Sequence, residues 1–246
     1  DLIATRGGMS REQIDEIALT SQQRAARAQA EGRYTSIVGI NTSAGVVDQD
    51  ECIRRDVTRE TLAALPPAFA KLGASGANAV QLASYPDLTR IQHVHTAGNS
   101  PAMCDAAAVV LLGDAALGKK LGIMPRARLV ASSTACGEPL EVLAGCIDAT
   151  RKLLGQRRLK TRDIDLFEIH EAFAATMIKA KRELQLDDDR VNPNGGVIAL
   201  GHPMGATGAI MTGTLIDEME RQSLSCGVVA ASGAAGSGSA LLVRRD

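Results

Sequence analysis

Aromatic side chains are nearly absent from this sequence. Its 246 residues include three Phe, two Tyr and no Trp. Any core must therefore be assembled from Ala, Val, Leu and Ile, and few flat rings remain for stacking nucleobases. An excess of charge of one sign is also missing. Twenty-seven Lys and Arg face 28 Asp and Glu, for a net charge of −1, which removes the basic footprint of a nucleic-acid binder. No run approaches the roughly 20 apolar residues of a membrane span, and no basic start followed by an apolar middle marks a signal peptide. The five cysteines, Cys52, Cys104, Cys136, Cys146 and Cys226, are odd in number and form no C-x-x-C pair. Neither a disulfide framework nor a metal site is expected, and a reducing, cytoplasmic compartment is the default.

The rest is ordinary for a globular chain: 45% hydrophobic and 22% charged residues. Ser10 to Tyr34 reads as a helix, opened by a Ser10–Gln13 capping box, with Ile14, Ile17, Ala18, Ala25 and Ala28 at helical spacing. A short strand is expected over Thr35–Ile40, irregular chain over Asn41–Asp56, and a short helix over Thr58–Phe69 stopped by Pro66 and Pro67. Gly73–Asp87, rich in Gly, Ala and Ser, reads as an exposed loop. The apolar stretch Ala106–Asp114 reads as a buried strand, with a buried helix left open by pattern alone. Further on, a strand over Arg126–Cys136, a helix over Pro139–Leu154, a strand over Leu166–Ile169 and a helix starting near His170 are expected. A helix over Gly205–Arg221 and a hairpin of Cys226–Ser232 with Ser239–Arg245 close the chain. Strands alternating with helices place the fold in the α/β class.

Four places could carry chemistry. His202 stands in NPNGGVIALGHPMGATGAI, with Gly195, Gly196, Gly201, Gly205 and Gly208 around it. Glycines let backbone approach closely, and Gly205–Gly208 open a helix whose first end is partially positive. An imidazole there can polarise a carbonyl, donate to an oxyanion or activate a thiol. A glycine-rich turn with a structural histidine is the other reading. His170 and Glu171 follow a strand, at the sheet edge where α/β proteins usually place ligands; they could equally serve a helix start. Ser232 ends a strand before a turn of small residues that includes Gly236, and a plain hairpin turn would look the same. Asn99 and Ser100 could bind a polar ligand or form an ordinary turn. Cys104 has no base beside it in sequence and reads as a small buried hydrophobe.

Taken together, these stretches resemble the thiolase family of acyl-CoA acyltransferases, which make or cleave 3-ketoacyl-CoA. NPNGGVIALGHPMGATGA is similar to the family's segment around its catalytic histidine, and HEAFAA (His170–Ala175) is similar to its Asn-Glu-Ala-Phe motif. TAGNSPAMCDAAAVVLL resembles another family segment, and SREQIDEIALTSQQRAARAQAEGR and DQDECIRRDVTRETLAAL resemble its loop domain. The likeness covers the chain apart from an insert near Gly73–Gln92. It implies a layered αβαβα thiolase fold that is incomplete, lacking the first part of the N-terminal half. Residues 1–90 would form the loop domain and helical cover, 91–118 the end of the N-terminal half, and 119–246 the C-terminal half.

By the same resemblance, His202 activates a nucleophilic cysteine and donates to an oxyanion hole, and His170 replaces the Asn that holds a water there. Ser100, Asn99, Phe173 and Gly236 would contact substrate. Coenzyme A enters as substrate, with no covalently bound cofactor and no metal. A homodimer or tetramer is implied. Two departures stand out. Ser232 occupies the place of the family's second catalytic cysteine, and a hydroxyl is a poor proton shuttle at neutral pH. The C-x-S-G context of the nucleophile does not occur at all, so the acyl-carrying cysteine is expected upstream of Asp1 or on a companion chain. The alternative is a catalytically impaired acyl-CoA binder or subunit. A ketoacyl synthase relative is disfavoured by the Gly-His-Pro and His-Glu-Ala-Phe contexts.

Overall fold

The computed structural model describes residues 1–245. The chain begins with α1 (Leu2–Arg6) and α2 (Arg11–Ala30). The capping box is formed: the Ser10 hydroxyl accepts from the Gln13 N–H, and the Gln13 side chain accepts from the Ser10 N–H at 3.1 Å. An antiparallel ribbon of β1 (Ile40–Thr42) and β2 (Gly45–Val47) follows. Next come α3 (Arg59–Ala63), α4 (Ala70–Leu72), α5 (Asn78–Ser84) and α6 (Ala115–Leu121). The remainder is β3 (Arg128–Cys136), α7 (Gly145–Arg157), β4 (Leu166–Ile169), α8 (Ala174–Leu184), α9 (Val197–Leu200), α10 (Thr207–Arg221), β5 (Cys226–Ser232) and β6 (Ser237–Arg244).

The last four strands make one sheet in the order β3-β6-β5-β4. β6 runs antiparallel to both of its neighbours, and β4 runs parallel to β5. Side chains alternate across it as a two-residue period demands. Phe167, Val228 and Leu242 face a core shared with α7 and α8, where Ile147, Leu153 and Ile178 pack. Leu166, Val229 and Val243 face Met211, Leu215 and Met219 of α10. The sheet is thus covered on both faces, and α2 lies across α8 and α9.

Several expectations are corrected. Thr35–Gly39 is not a strand; pairing starts only at Ile40, the last residue of the expected strand, and runs on into Asn41–Val47, expected to be irregular chain. Gly73–Ser84 is helical rather than a loop, with a wide turn over Gly73–Ala77 that Gly76 accommodates at φ 127°. Ala74, Ala77, Gln81 and Leu82 are adequate helix formers, and the glycines had masked them. The helix expected from Pro139 begins only at Gly145, after a tight turn at Pro139–Glu141. The helix after β4 starts at Ala174, because His170 N–H still bonds to Ala230 O at 2.8 Å and Phe173 is extended. The largest departure is Ala106–Asp114, which is neither strand nor buried: Val109 is 94% exposed, and Leu111 and Leu112 also face out. Among the described residues no strand lies beside it to take its N–H and C=O groups, and a lone extended segment is not a sheet.

Candidate active site

β4 and β5 run parallel, so their carboxyl ends emerge at one edge, and there stand His170 and Ser232. Continuing the alternation of Leu166 and Glu168, His170 faces the side of the sheet that α10 covers. The first end of α10 reaches the same place, and the ring of His202 packs against that of His170, with centroids 4.6 Å apart and planes inclined at 46°. Sequence reasoning reached each histidine separately; the sheet and α10 bring them together.

Hydrogen bonds define what the two rings can do. His202 Nδ1 is 2.7 Å from Thr207 Oγ1. If the hydroxyl donates, Nε2 carries the proton and can serve an oxyanion; if it accepts, Nε2 is a free base. His170 is buried, and among the described residues neither ring nitrogen makes a well-formed hydrogen bond, although the Ser232 main chain lies beside the ring. Burial pushes its pKa down to about 4, with His202 adding to the effect, and burial also lowers His202. Both rings are therefore neutral at neutral pH. An orphaned buried pair of ring nitrogens asks for a ligand or a water.

The loop bearing His202 is held from below by Glu171. This buried carboxyl accepts from Ser21 Oγ at 2.7 Å, from Asn192 Nδ2 at 3.2 Å and from Ile198 N–H at 3.1 Å. Burial raises its pKa. Gly196 lies so close that a β-carbon there would fall 2.3 Å from the Glu171 carboxyl carbon. Asn192 continues β4 like a missing strand, accepting from Ile169 N–H and donating to Ile169 O, both at 2.8 Å. Asn194 accepts from Arg33 and donates to Glu218. Ser21, Asn192, Asn194 and Thr207 were not singled out from sequence as parts of the site. Only the Asn-Pro-Asn-Gly-Gly run hinted at two of them.

The segment His95–Cys104 forms the opposite wall. Asn99 O accepts from Ala174 N–H at 3.4 Å, and Ala102 O accepts from His202 N–H at 2.8 Å. Ser100 sits between these two contacts, and its buried hydroxyl oxygen has no partner. Asn99 faces inward: both amide hydrogens are donated, to Asp15 Oδ1 and Val94 O, and its oxygen accepts from Thr96 N–H. It braces the wall, and its side chain is wholly buried. Phe173 packs edge-on against His95 at 5.1 Å and Phe69 at 5.6 Å. His95 is held neutral, its pKa lowered to about 3 chiefly by burial. Gly236 is buried against main chain, donating to Val142 O and accepting from Gly137 N–H. The Ser232 hydroxyl accepts from Cys146 N–H at 3.0 Å.

Among the described residues no three His, Cys, Asp or Glu side chains gather to hold a metal ion, and no helix is long and apolar enough to cross a membrane. Fold and site together describe an α/β protein with paired neutral imidazoles at a sheet's carboxyl edge. Residues 1–116 match the family model "Thiolase, N-terminal domain" and residues 123–245 match "Thiolase, C-terminal domain". The chain belongs to the thiolase family. It is 38% identical over 248 residues to an acetyl-CoA acetyltransferase of Rhizobium meliloti (strain 1021), covering 99% of this chain and 58% of that protein. It is 37% identical over 242 residues to a 3-ketoacyl-CoA thiolase of Bacillus subtilis (strain 168), covering 92% of this chain and 56% of that one. The crystal structure of the Bacillus anthracis acetyl-CoA acetyltransferase superposes with a TM-score of 0.84 at 34% identity, over 98% of this chain and 58% of that chain. The chain thus spans under three-fifths of the length of these relatives.

Proposed function

We propose that the protein to which these residues belong transfers acyl groups to and from coenzyme A, cleaving or forming 3-ketoacyl-CoA through an acyl-cysteine that these residues do not supply. The observation that carries this reading is the His170–His202 pair: two neutral imidazoles, one of them without a well-formed hydrogen bond among the described residues, in contact at the first end of α10. Family membership names the chemistry such a pair serves.

In this reading His202 takes the proton of the attacking thiol and returns it to the leaving group, while Thr207 sets which nitrogen carries it. His170 holds a water or the carbonyl oxygen where negative charge develops, and such donors are most effective where bulk water is excluded. The free Ser100 hydroxyl binds the amide-bearing arm of coenzyme A. Phe173 lines the acyl path, and Asn99 and Gly236 act by holding the walls. Ser232 stands where proton abstraction from the substrate's α-carbon is needed. Coenzyme A is substrate, no cofactor is held covalently, and the setting is a cytoplasmic homodimer or tetramer. Residues 1–90 act as the cover, 91–118 as the end of the first half and 119–246 as the second half. A companion chain or upstream segment supplies the nucleophile.

The test is an acetoacetyl-CoA cleavage assay on the complete protein. His202→Ala should remove turnover; cleavage at the parent rate rejects the proposal. A second reading, an acyl-CoA binder without condensation activity, is favoured by Ser232 alone, whose hydroxyl already accepts from Cys146 N–H. Calorimetry showing acyl-CoA binding by a protein that never turns over would select it.

A further inference from the structure

Cys52 and Cys104 lie 52 residues apart in sequence on two segments that belong to no helix or strand, and both thiols point at one glycine. The point where a β-carbon on Gly201 would stand is 2.6 Å from Cys104 Sγ and 3.1 Å from Cys52 Sγ. The two sulfurs are therefore no farther apart than the sum of those distances. Gly201 has φ 88° and is the residue before His202. Each cysteine is tethered nearby. The segment 102–104 runs beside His202 through the Ala102–His202 backbone bond and a parallel bridge at Met103. Cys52 is followed two residues on by Arg54, whose N–H donates to Gln22 Oε1 at 2.6 Å, while Gln22 donates to Ile198 O. Both cysteines are partly exposed, within reach of a small oxidant. The Cys104 thiol is pushed up by burial and by Cys52 beside it.

We propose that Cys52 and Cys104 form a reversible oxidative modification site, closed to a disulfide by hydrogen peroxide or an equivalent small peroxide. This goes beyond acyl transfer and does not depend on it. One thiolate attacks a peroxide oxygen, the O–O bond breaks, and the sulfur becomes a sulfenic acid while hydroxide leaves and is protonated to water. The second thiolate attacks that sulfur, forms the S–S bond and expels hydroxide, which is protonated to a second water. Two thiols and one peroxide give one disulfide and two waters, with two electrons passing from the sulfurs to the oxidant. Disulfide geometry is exacting; Cys52 lies in no helix or strand, and Cys104 follows the Met103 bridge without being part of it, so the small adjustment falls on these two residues. The closed bond clasps the cover segment around residues 48–57 to the wall segment across the front of Gly201.

The experiment treats the purified, fully reduced protein with equimolar hydrogen peroxide, alkylates the remaining thiols and maps them by peptide mass spectrometry. The expected result is joint loss of the Cys52 and Cys104 thiols and recovery of a crosslinked peptide pair, reversed by dithiothreitol. The crosslink should disappear in Cys52→Ser and in Cys104→Ser and persist in Cys136→Ser. If both thiols remain free to alkylation after the exposed Cys136 has oxidised, or if either pairs with another cysteine, the proposal is overturned. The unsubstituted protein alone decides this, so a variant that folds poorly does not blur the answer.

Discussion

The imidazole of His170 rests 4.6 Å from that of His202, and among the described residues His202 is the one of the two with a well-formed side-chain hydrogen bond, to Thr207. Two cations at that distance would repel each other in a site that burial has already made hostile to charge. Burial keeps both rings neutral, and the neighbouring His202 adds to the effect at His170. The cost appears on acidification rather than at neutral pH.

That cost can be measured. In the unfolded chain His170 protonates near its ordinary 6.5, and in the folded protein at about 4. Between those values the unfolded chain holds the extra proton, so stability falls as pH falls through that window and is unaffected above it. The drop corresponds to about 3 kcal/mol at full development. His170→Asn, which has no proton to take up, should flatten this slope. Denaturant midpoints at pH 7.5 and pH 5, compared between parent and variant, check the difference. Identical slopes would place the acid sensitivity elsewhere, with buried His95 the next candidate.

Among the described residues, Thr207 is the hydrogen-bond partner of the His202 ring. Thr207→Val keeps the shape and removes the hydroxyl. It should lower kcat about tenfold, equivalent to about 1.4 kcal/mol of barrier, and leave KM nearly unchanged, because the Thr207 hydroxyl acts on the imidazole of His202. The measurement is steady-state thiolysis by the complete protein. An unchanged kcat would mean that the orientation of His202 is set by packing alone.

Two glycines of the His202 loop make a contrasting pair. A β-carbon on Gly196 would sit 2.3 Å from the Glu171 carboxyl carbon, whereas one on Gly205 would meet nothing within 4 Å. Glu171 cannot simply swing away, since Ser21, Asn192 and Ile198 all donate to it. Gly196→Ala should cost about 1–3 kcal/mol, and Gly205→Ala should fall within about 0.5 kcal/mol of the parent. Urea unfolding of the two variants side by side tests this. Equal stabilities would show that the loop yields freely.

What could be read in advance follows from how local its cause is. The Ser10–Gln13 cap, β4 and the β5–β6 hairpin depend on neighbours in sequence, and they stand where pattern placed them. The glycine crowd around His202 marked a close approach of backbone correctly, but not that the thing approached was the carboxyl of Glu171. Ser21 and Thr207 carried no signal, because a hydroxyl is informative only once its partner is known. Ala106–Asp114 misled for the opposite reason. An apolar run reports what could be buried, and burial requires a neighbouring strand that the described residues do not contain.

Ser232 offers the sharpest chemical test. It ends β5 beside the end of β4, where the proposed reaction needs a base for the substrate's α-carbon, and a hydroxyl ionises far above neutral pH. A thiol ionises near 8.5, several pH units closer to working conditions. Ser232 is nearly buried, and its oxygen accepts from the Cys146 N–H. Sulfur is slightly larger and a weaker acceptor, so Ser232→Cys should cost little stability, on the order of 1 kcal/mol. In the complete protein the substitution should raise the rate of condensation of two acetyl-CoA by at least about tenfold. Acylation of the nucleophile should change far less, because that step is assigned to His202 in the proposed mechanism. Separate assays of acyl-enzyme formation and of acetoacetyl-CoA production distinguish the two. If both rates are unmoved, either another group already performs the proton transfer or position 232 does not face the α-carbon, and the role assigned to it fails.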